Sequence, residues 1–558
     1  MRKAFLIAGI LLLMAAVFAQ QIGIDNDESW GRGRIIILAA GLVFILGGVL
    51  LVVFQNKLTE FKRHISTFFY KHFNVDRPTQ ILLVSFIAAT IVLITYIWLV
   101  RPIARDARHN YNYYSELSIG FKLGNLYLTE EPSPALLSLS NPYNYYLRKQ
   151  NNLEDFPWDV SLYNNKFYTY WGPAPSLILT IFSYDQLSQI GDHYVALAFA
   201  FGLFFYAALI TATFWYKSLQ NVPVWILGIC LLAIGFSTPV TIMLESPRIY
   251  EAAIFGCQFF FVGGCYWAYS SISDNKPVLW KLVLAGIHWA FALGTRITIL
   301  PVILFTAAAT VIYIMKVYKA TTPKAYLPIL AIMGMPLLLA LSGLSWYNWA
   351  RFESIFEFGL KYQLTNVDYN LFKVSFSSRY ITENLYNYFF HPLQIQSRFP
   401  YLQRVEYPSS NDKLAGLMYL SPYILLLSVP LVREISNFIA FNKKTGARQI
   451  KAPSENWLII IFAGSCFIAM FVILSFYFVT MRYIEDFMPS LILLTTILLG
   501  REYQQLSQNN ASRKVLEFIT MMLVGVTIIA NVLVAISNSR AALIIRLLNP
   551  ISKMLGLK

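Results

Sequence analysis

The chain has 558 residues, 57% of them hydrophobic and only 13% charged, with a mean hydropathy of +0.53. A soluble chain carries roughly twice that charged share, so composition excludes an ordinary soluble enzyme and predicts an all-α polytopic membrane protein. The net charge of +15 then marks cytoplasmic loops rather than a nucleic-acid surface, and no nucleic-acid partner is expected.

Apolar runs of about 20 residues predict about 13 spans. In chain order they fall near 4–20, 34–54, 79–100, 193–216, 223–243, 252–271, 281–298, 299–316, 327–347, 413–432, 456–480, 484–500 and 516–537. The first run follows Met1, Arg2 and Lys3 and fits either a cleavable signal or a first helix; a polytopic chain needs no cleaved signal, which favours the helix. The stretch Pro173 to Leu187 is short and proline-bearing, and reads as an interfacial or re-entrant helix.

The positive-inside rule orients these spans. With the N-terminus inside, the loops bearing Lys57, Lys62, Arg63, Lys71 and Arg77, then Lys217, then Lys276 and Lys281, all face the cytoplasm. So do those with Lys316, Lys319 and Lys324, with Arg433, Lys443, Lys444, Arg448 and Lys451, and with Arg501, Arg513 and Lys514. Two large loops, 101–192 and 348–412, then face outward with the short turns 243–251 and 481–484. The tail after Ser537 carries Arg540, Arg546 and Lys553 among apolar residues and fits an amphipathic surface helix. A single integral membrane domain over 1–558 is expected in three parts. Residues 1–78 form an N-terminal hairpin and basic loop, 79–500 the core, and 501–558 the last helix and tail. The cysteines Cys230, Cys257, Cys265 and Cys466 lie in apolar stretches with no CxxC pair and serve packing.

Ionisable residues collect at the outward span ends. The first large loop holds Asp106, His109, Glu116, Asp155 and Asp159. The turn LESPRIYEA holds Glu245, Arg248, Tyr250 and Glu251; GTRITILP holds Arg296. NWARFESIFEFGLKYQL holds Arg351, Glu353, Glu357, Lys361 and Tyr362; MRYIEDFMPSL holds Arg482, Glu485 and Asp486. Charges at membrane depth need partners, and several at one level predict a polar cavity opening outward. Each alone has a plainer reading: a snorkelling arginine, or a structural pair of Arg482 with Glu485 and Asp486. Tyr111, Tyr113 and Tyr114, with Tyr163, Tyr168 and Tyr170, are denser than an interfacial belt requires and suit stacking against sugar rings. There is no phosphate-loop, dinucleotide, HExxH or serine-elbow motif, and His109 and His391 stand alone.

These segments carry a resemblance. LYNNKFYTYWGPAPSLIL resembles the tyrosine-rich segment leading into a jaw helix in the C-type glycosyltransferase superfamily (GT-C), in its mannosyl- and aminoarabinosyl-transferase branch. GTRITILP resembles a span end of that branch, and NWARFESIFEFGLKYQL with RYIEDFMPSL looks like paired motifs of its uncharacterised bacterial members. The resemblance covers roughly residues 80–500 and places Asp106 at the opening of the first outer loop, here without an acidic neighbour. It implies a GT-C-like fold with large extracytoplasmic loops, in a bacterial cytoplasmic (inner) membrane. It implies a polyprenyl-phosphate-sugar donor, a lipid, glycan or protein acceptor, and membrane lipids as surroundings.

By the resemblance, the general base is Asp106, with Glu116 or Asp159 as alternatives. Arg296, Arg482 and Arg351 are the candidates for the lipid phosphate. His109, Tyr168, Arg248, Glu251, Glu357 and Asp486 complete the substrate-binding set. No cofactor is implied with certainty; some relatives use a divalent metal (Mg or Mn), and the sequence defines no ligand spacing for one. The alternative is a transporter, or a lipid-linked glycan flippase or ligase, without this chemistry. A transporter predicts charges at mid-span, whereas the acids here gather at span ends.

Overall fold

The structure, a computed structural model, describes residues 14–15, 76–100, 112–153, 155–273, 276–318, 327–366, 368, 375–407, 412–430, 433, 453–506 and 511–536. Asp106, His109 and Tyr111, the expected spans at 4–20 and 34–54, and the tail after Ser537 lie outside the described residues. The chain divides into two compact units, Met1–Gln80 and Ile81–Lys558. In the first, Asp76 accepts from the backbone N–H of Thr79 at 3.3 Å, an N-terminal cap for the helix Arg77–Leu99.

The chain is mostly helical. Among the described residues, seven helices are long and apolar enough to cross a membrane: Arg77–Leu99, Asp192–Ser218, Ile249–Ile272, Ile297–Val317, Leu327–Phe352, Ser454–Leu474 and Ala511–Ala535. They coincide with predicted spans. Ile249–Ile272 is the central post, packed between Asp192–Ser218 and Leu279–Thr295. Its apolar window is 83% buried, against 22% for Arg77–Leu99, so the first is enclosed by protein and the second presents most of its apolar surface outward. The predicted span at 281–298 appears as the 17-residue helix Leu279–Thr295, and that at 484–500 as Met488–Gln505 after a 3-10 turn, Met481–Asp486.

Two predicted spans are broken. Residues 223–243 form two helices, Val224–Gly235 and Val240–Glu245, parted at Ser237, Thr238 and Pro239. Residues 413–432 include a short strand, the helix Leu417–Leu420 and a 3-10 turn, Pro422–Leu427, parted at Ser421. A proline removes a donor and ends the helical ladder, so each break leaves backbone groups that need partners in an apolar interior. The breaks satisfy one another. Ser421 Oγ accepts from the Thr238 N–H at 2.9 Å, and Asn531 Nδ2 donates to the Leu420 carbonyl at 2.6 Å. Thr238 Oγ1 donates to Asn531 Oδ1 at 2.6 Å, and the Tyr96 hydroxyl donates to the Gly235 carbonyl at 2.6 Å.

The predicted interfacial stretch after Pro173 is two short helices, Ala174–Leu179 and Tyr184–Gln189. Lys122 Nζ donates to the carbonyls of Thr180 and Phe182 between them. Leu177 and Ile181 remain exposed, an apolar surface suited to the bilayer interface.

The two large loops pack on each other. A hairpin pairs Ser161–Tyr163 with Lys166–Tyr168; its two-residue turn, Asn164 and Asn165, has φ of 45° and 55°, the left-handed pair that a type I′ turn requires. The preceding residues join the second loop: Asp159 N–H donates to the Leu364 carbonyl, and Leu364 N–H to the Val160 carbonyl at 2.8 Å. The fully buried Arg148 adds bonds to the carbonyls of Pro142 and Thr365, both at 2.6 Å.

Candidate functional site

The site is built where the first loop meets the start of the central helix. Helix Tyr113–Lys122 opens without a cap from Asn112. Its first two N–H groups are instead received by the Asp192 carboxylate, at 3.0 Å for Tyr113 and 3.2 Å for Tyr114. A helix start leaves orphan donors and a positive dipole end, so this buried acid locks the loop helix to the span that begins at Asp192. Tyr113 in turn donates through its hydroxyl to the Trp158 carbonyl at 2.5 Å.

Next in the chain, Asp159 adopts φ 61°, a left-handed conformation that Asp and Asn tolerate better than most residues. Its side chain is buried. Oδ2 accepts from the hydroxyl of Tyr250, at the start of the Ile249–Ile272 helix, and buried Oδ1 has no hydrogen bond. Burial pushes the carboxyl above its ordinary value, with Tyr250, the nearby Thr365 side chain, Arg482 and Arg248 pulling the other way.

Arg482 arrives from the 3-10 turn after the Pro453–Leu474 helix. Its guanidinium lies over the Tyr250 ring, 4.7 Å from the centroid, and 5.8 Å from that of Tyr483. Glu251 and Asp412 act on it electrostatically, yet among the described residues no carboxylate is within ion-pair distance. Its donors are therefore uncommitted to the acids of the described residues. Exposed Arg248 flanks the same place, and its backbone N–H is held by Glu251 Oε2 at 2.9 Å. Tyr113, Trp171 and Tyr250 form a continuous aromatic wall beside Asp159, with centroids 5.2 and 5.3 Å apart in edge-on pairs.

A second charged pair lies nearby. Arg296 Nη1 bonds Asp486 Oδ1, and Gln258 Nε2 donates to the Asp486 carbonyl at 3.2 Å. Tyr483 is within electrostatic reach of Arg482, Arg296 and Asp486, which links this pair to the first group. Asp486 thus faces Arg296 rather than Arg482. Two of the resemblance segments also touch: Gly172 N–H donates to the Thr295 carbonyl at 3.2 Å, and a Cβ on Gly172 would collide with the Gly294 carbonyl oxygen.

The structure therefore brings together Asp159, Arg248, Glu251 and Arg482, with Arg296 and Asp486 beside them. The remaining described candidates are placed elsewhere. Glu116 accepts from Thr129 Oγ1 at 2.5 Å and neighbours Glu130, whose carboxyl is raised by burial, Asp155 and Glu116. Arg351 is buried and committed: it donates to the Thr169 carbonyl at 2.6 Å and to Asn348 Oδ1 at 2.9 Å, under the Tyr347 ring. Tyr168 packs on Phe352. Glu357 accepts from the Gly359 N–H at 2.8 Å and faces Lys361. This second set joins the loops to the end of the Leu327–Phe352 helix.

Among the described residues no group of three or more His, Cys, Asp or Glu side chains could hold a metal ion. Sequence reasoning left out Asp192, Gln258 and the aromatic role of Trp171. The available signal for Asp192 was an acid at the first turn of an otherwise apolar span. No protein-family model matches the chain, and neither curated proteins nor solved structures give a match.

Proposed function

We propose that the chain is a membrane glycosyltransferase of GT-C type, moving a sugar from a polyprenyl-phosphate donor to an acceptor hydroxyl at the loop-bearing, extracytoplasmic face. The observation that carries this reading is the uncommitted Arg482 beside the buried Asp159, joined through Tyr250. A buried carboxylate of raised pKa suits a general base, and a guanidinium with free donors suits a phosphate that gains charge as it leaves.

In this mechanism the acceptor hydroxyl gives its proton to the carboxylate as its oxygen attacks the anomeric carbon. The bond from that carbon to the phosphate oxygen breaks, and the departing lipid phosphate takes the electron pair. Arg482 and Arg248 receive the developing charge. A single displacement inverts the anomeric centre. The wall of Tyr113, Trp171 and Tyr250 offers the sugar a stacking face. Among described carboxylates Asp159 best suits the base; Asp106 remains the alternative from outside them.

The test is sugar transfer by purified protein in lipid, with a panel of polyprenyl-phosphate sugars and membrane extract as acceptor. Wild type is compared with Asp159→Asn and Asp106→Asn. Turnover lost in Asp159→Asn supports the assignment, and turnover lost only in Asp106→Asn moves the base. Turnover of no donor sinks the enzyme reading in favour of a transporter or flippase.

A further inference from the structure

Glu485 and Asp486 are neighbours in sequence but serve different surroundings. Asp486 faces Arg296, while the Glu485 side chain lines a cavity of about 20 Å³ inside the bundle. Tyr96, Phe204, Ile234, Ser237 and Ile492 share that lining. Glu485 is 1% exposed, and its Oε2 has no hydrogen-bond partner. Among the described residues no cation forms an ion pair with it, and the adjacent charge, Asp486, has the same sign. An ionised carboxylate so placed would be an uncompensated buried charge costing several kcal/mol, whereas the neutral acid avoids that cost.

The cavity lies at the break in the predicted 223–243 span, where non-helical backbone supplies polar groups. Ser237 Oγ donates to the Ile234 carbonyl at 3.1 Å and the Tyr96 hydroxyl to the Gly235 carbonyl, so both oxygens keep lone pairs free to accept. The volume admits about one water, which needs two to four polar partners.

We propose that Glu485 is a proton-binding site in the bundle core: its carboxylic acid keeps its proton and holds one water in this cavity, with Ser237 and Tyr96 as the water's acceptors. The Glu485 O–H donates to the water oxygen, and the water's two hydrogens reach Ser237 Oγ and the Tyr96 hydroxyl oxygen. The site is separate from the sugar-transfer reading and does not depend on it.

Infrared spectra of the full-length protein in lipid, in H2O and in D2O at neutral pH, test this. A protonated-carboxyl C=O band that shifts in D2O and disappears in Glu485→Gln is expected. Ser237→Ala should move that band without abolishing it, because the acid stays and the water loses a partner. Glu485→Gln should melt as the wild type does, since a neutral isostere replaces a neutral acid. A folded Glu485→Gln that keeps the wild-type band overturns the proposal. So does a Glu485→Gln that fails to fold, because an ionised, partnered glutamate would then be required. Loss of the wild-type band on adding sodium would replace the proton with a metal cation and also overturn it.

Discussion

The two ends of the bundle differ in how fully their charges are committed. At the end carrying Lys217, Arg433, Arg501 and Arg513, cations meet acids or carbonyls directly. Arg433 bonds Glu502, Arg501 lies 3.9 Å from Glu455, and Arg513 lies 3.5 Å from Glu517 while donating to the Asn221 and Leu506 carbonyls. At the end carrying the large loops, Asp159, Glu485 and Asp486 each bury an oxygen without a hydrogen bond, and Arg482 rests on tyrosine rings. Buried polar groups are normally satisfied; Trp215, Tyr269 and Trp457 leave neutral donors unbonded at the first end, but buried carboxylate oxygens without a bond gather at the second and mark the place kept for a ligand, a proton or water. The lesson is that charge count alone does not separate the ends; commitment of the charges does.

The largest expected effect is at Asp159. Asp159→Asn keeps the left-handed backbone and the shape but removes the base, and should lower transfer by about 10²–10⁴-fold with thermal stability retained. Unchanged turnover would break the contrast between the ends. Arg482→Gln should follow, lowering kcat/KM by about 10²–10³-fold through loss of leaving-group stabilisation, whereas Arg513→Gln should act on stability alone. Equal activity losses for the two arginines would refute it.

Packing changes come next. Gly172→Ala drives a methyl into the Gly294 and Thr295 carbonyls and should destabilise the fold by about 1–3 kcal/mol, read by thermal unfolding in lipid.

The pH response sharpens the assignment. Burial raises the Asp159 carboxyl above its ordinary 3.8, so base catalysis should rise with pH through that elevated value. Stability runs the other way. The folded state holds this proton more tightly than the unfolded state, so the contribution of Asp159 is full below about 3.8 and declines as pH rises through the folded value. Asp159→Asn should therefore compare best with wild type in unfolding midpoint at neutral pH and less well in acid. The smallest effect belongs to Lys166→Gln, under about 1 kcal/mol in unfolding free energy, because its partner Glu131 is exposed.

Much of the helical frame was legible because apolar runs follow from membrane thickness, a rule that acts locally. The long helices at 192–218 and 249–272 stand where continuous apolar runs put them. The breaks at Thr238 and Ser421 were hidden inside apolar runs, because what ends each helix is satisfied by a partner far along the chain. The site was half legible. Arg482 and Glu251 advertise themselves as charges near span ends, and Asp159 as an acid within the first large loop. That Arg351 would be absorbed by carbonyls and Arg296 by Asp486, leaving Arg482 open, depends on long-range packing. The same holds for Asp192, whose role is to cap a helix that begins 79 residues earlier.

Asn531 carries a consequence for how the chain is made. It satisfies Leu420 and Thr238, residues 111 and 293 positions earlier, and it sits in the last described helix, Ala511–Ala535. During synthesis both breaks enter the bilayer long before this amide exists. These two breaks therefore wait for a partner until the Ala511–Ala535 helix arrives and acts as their latch.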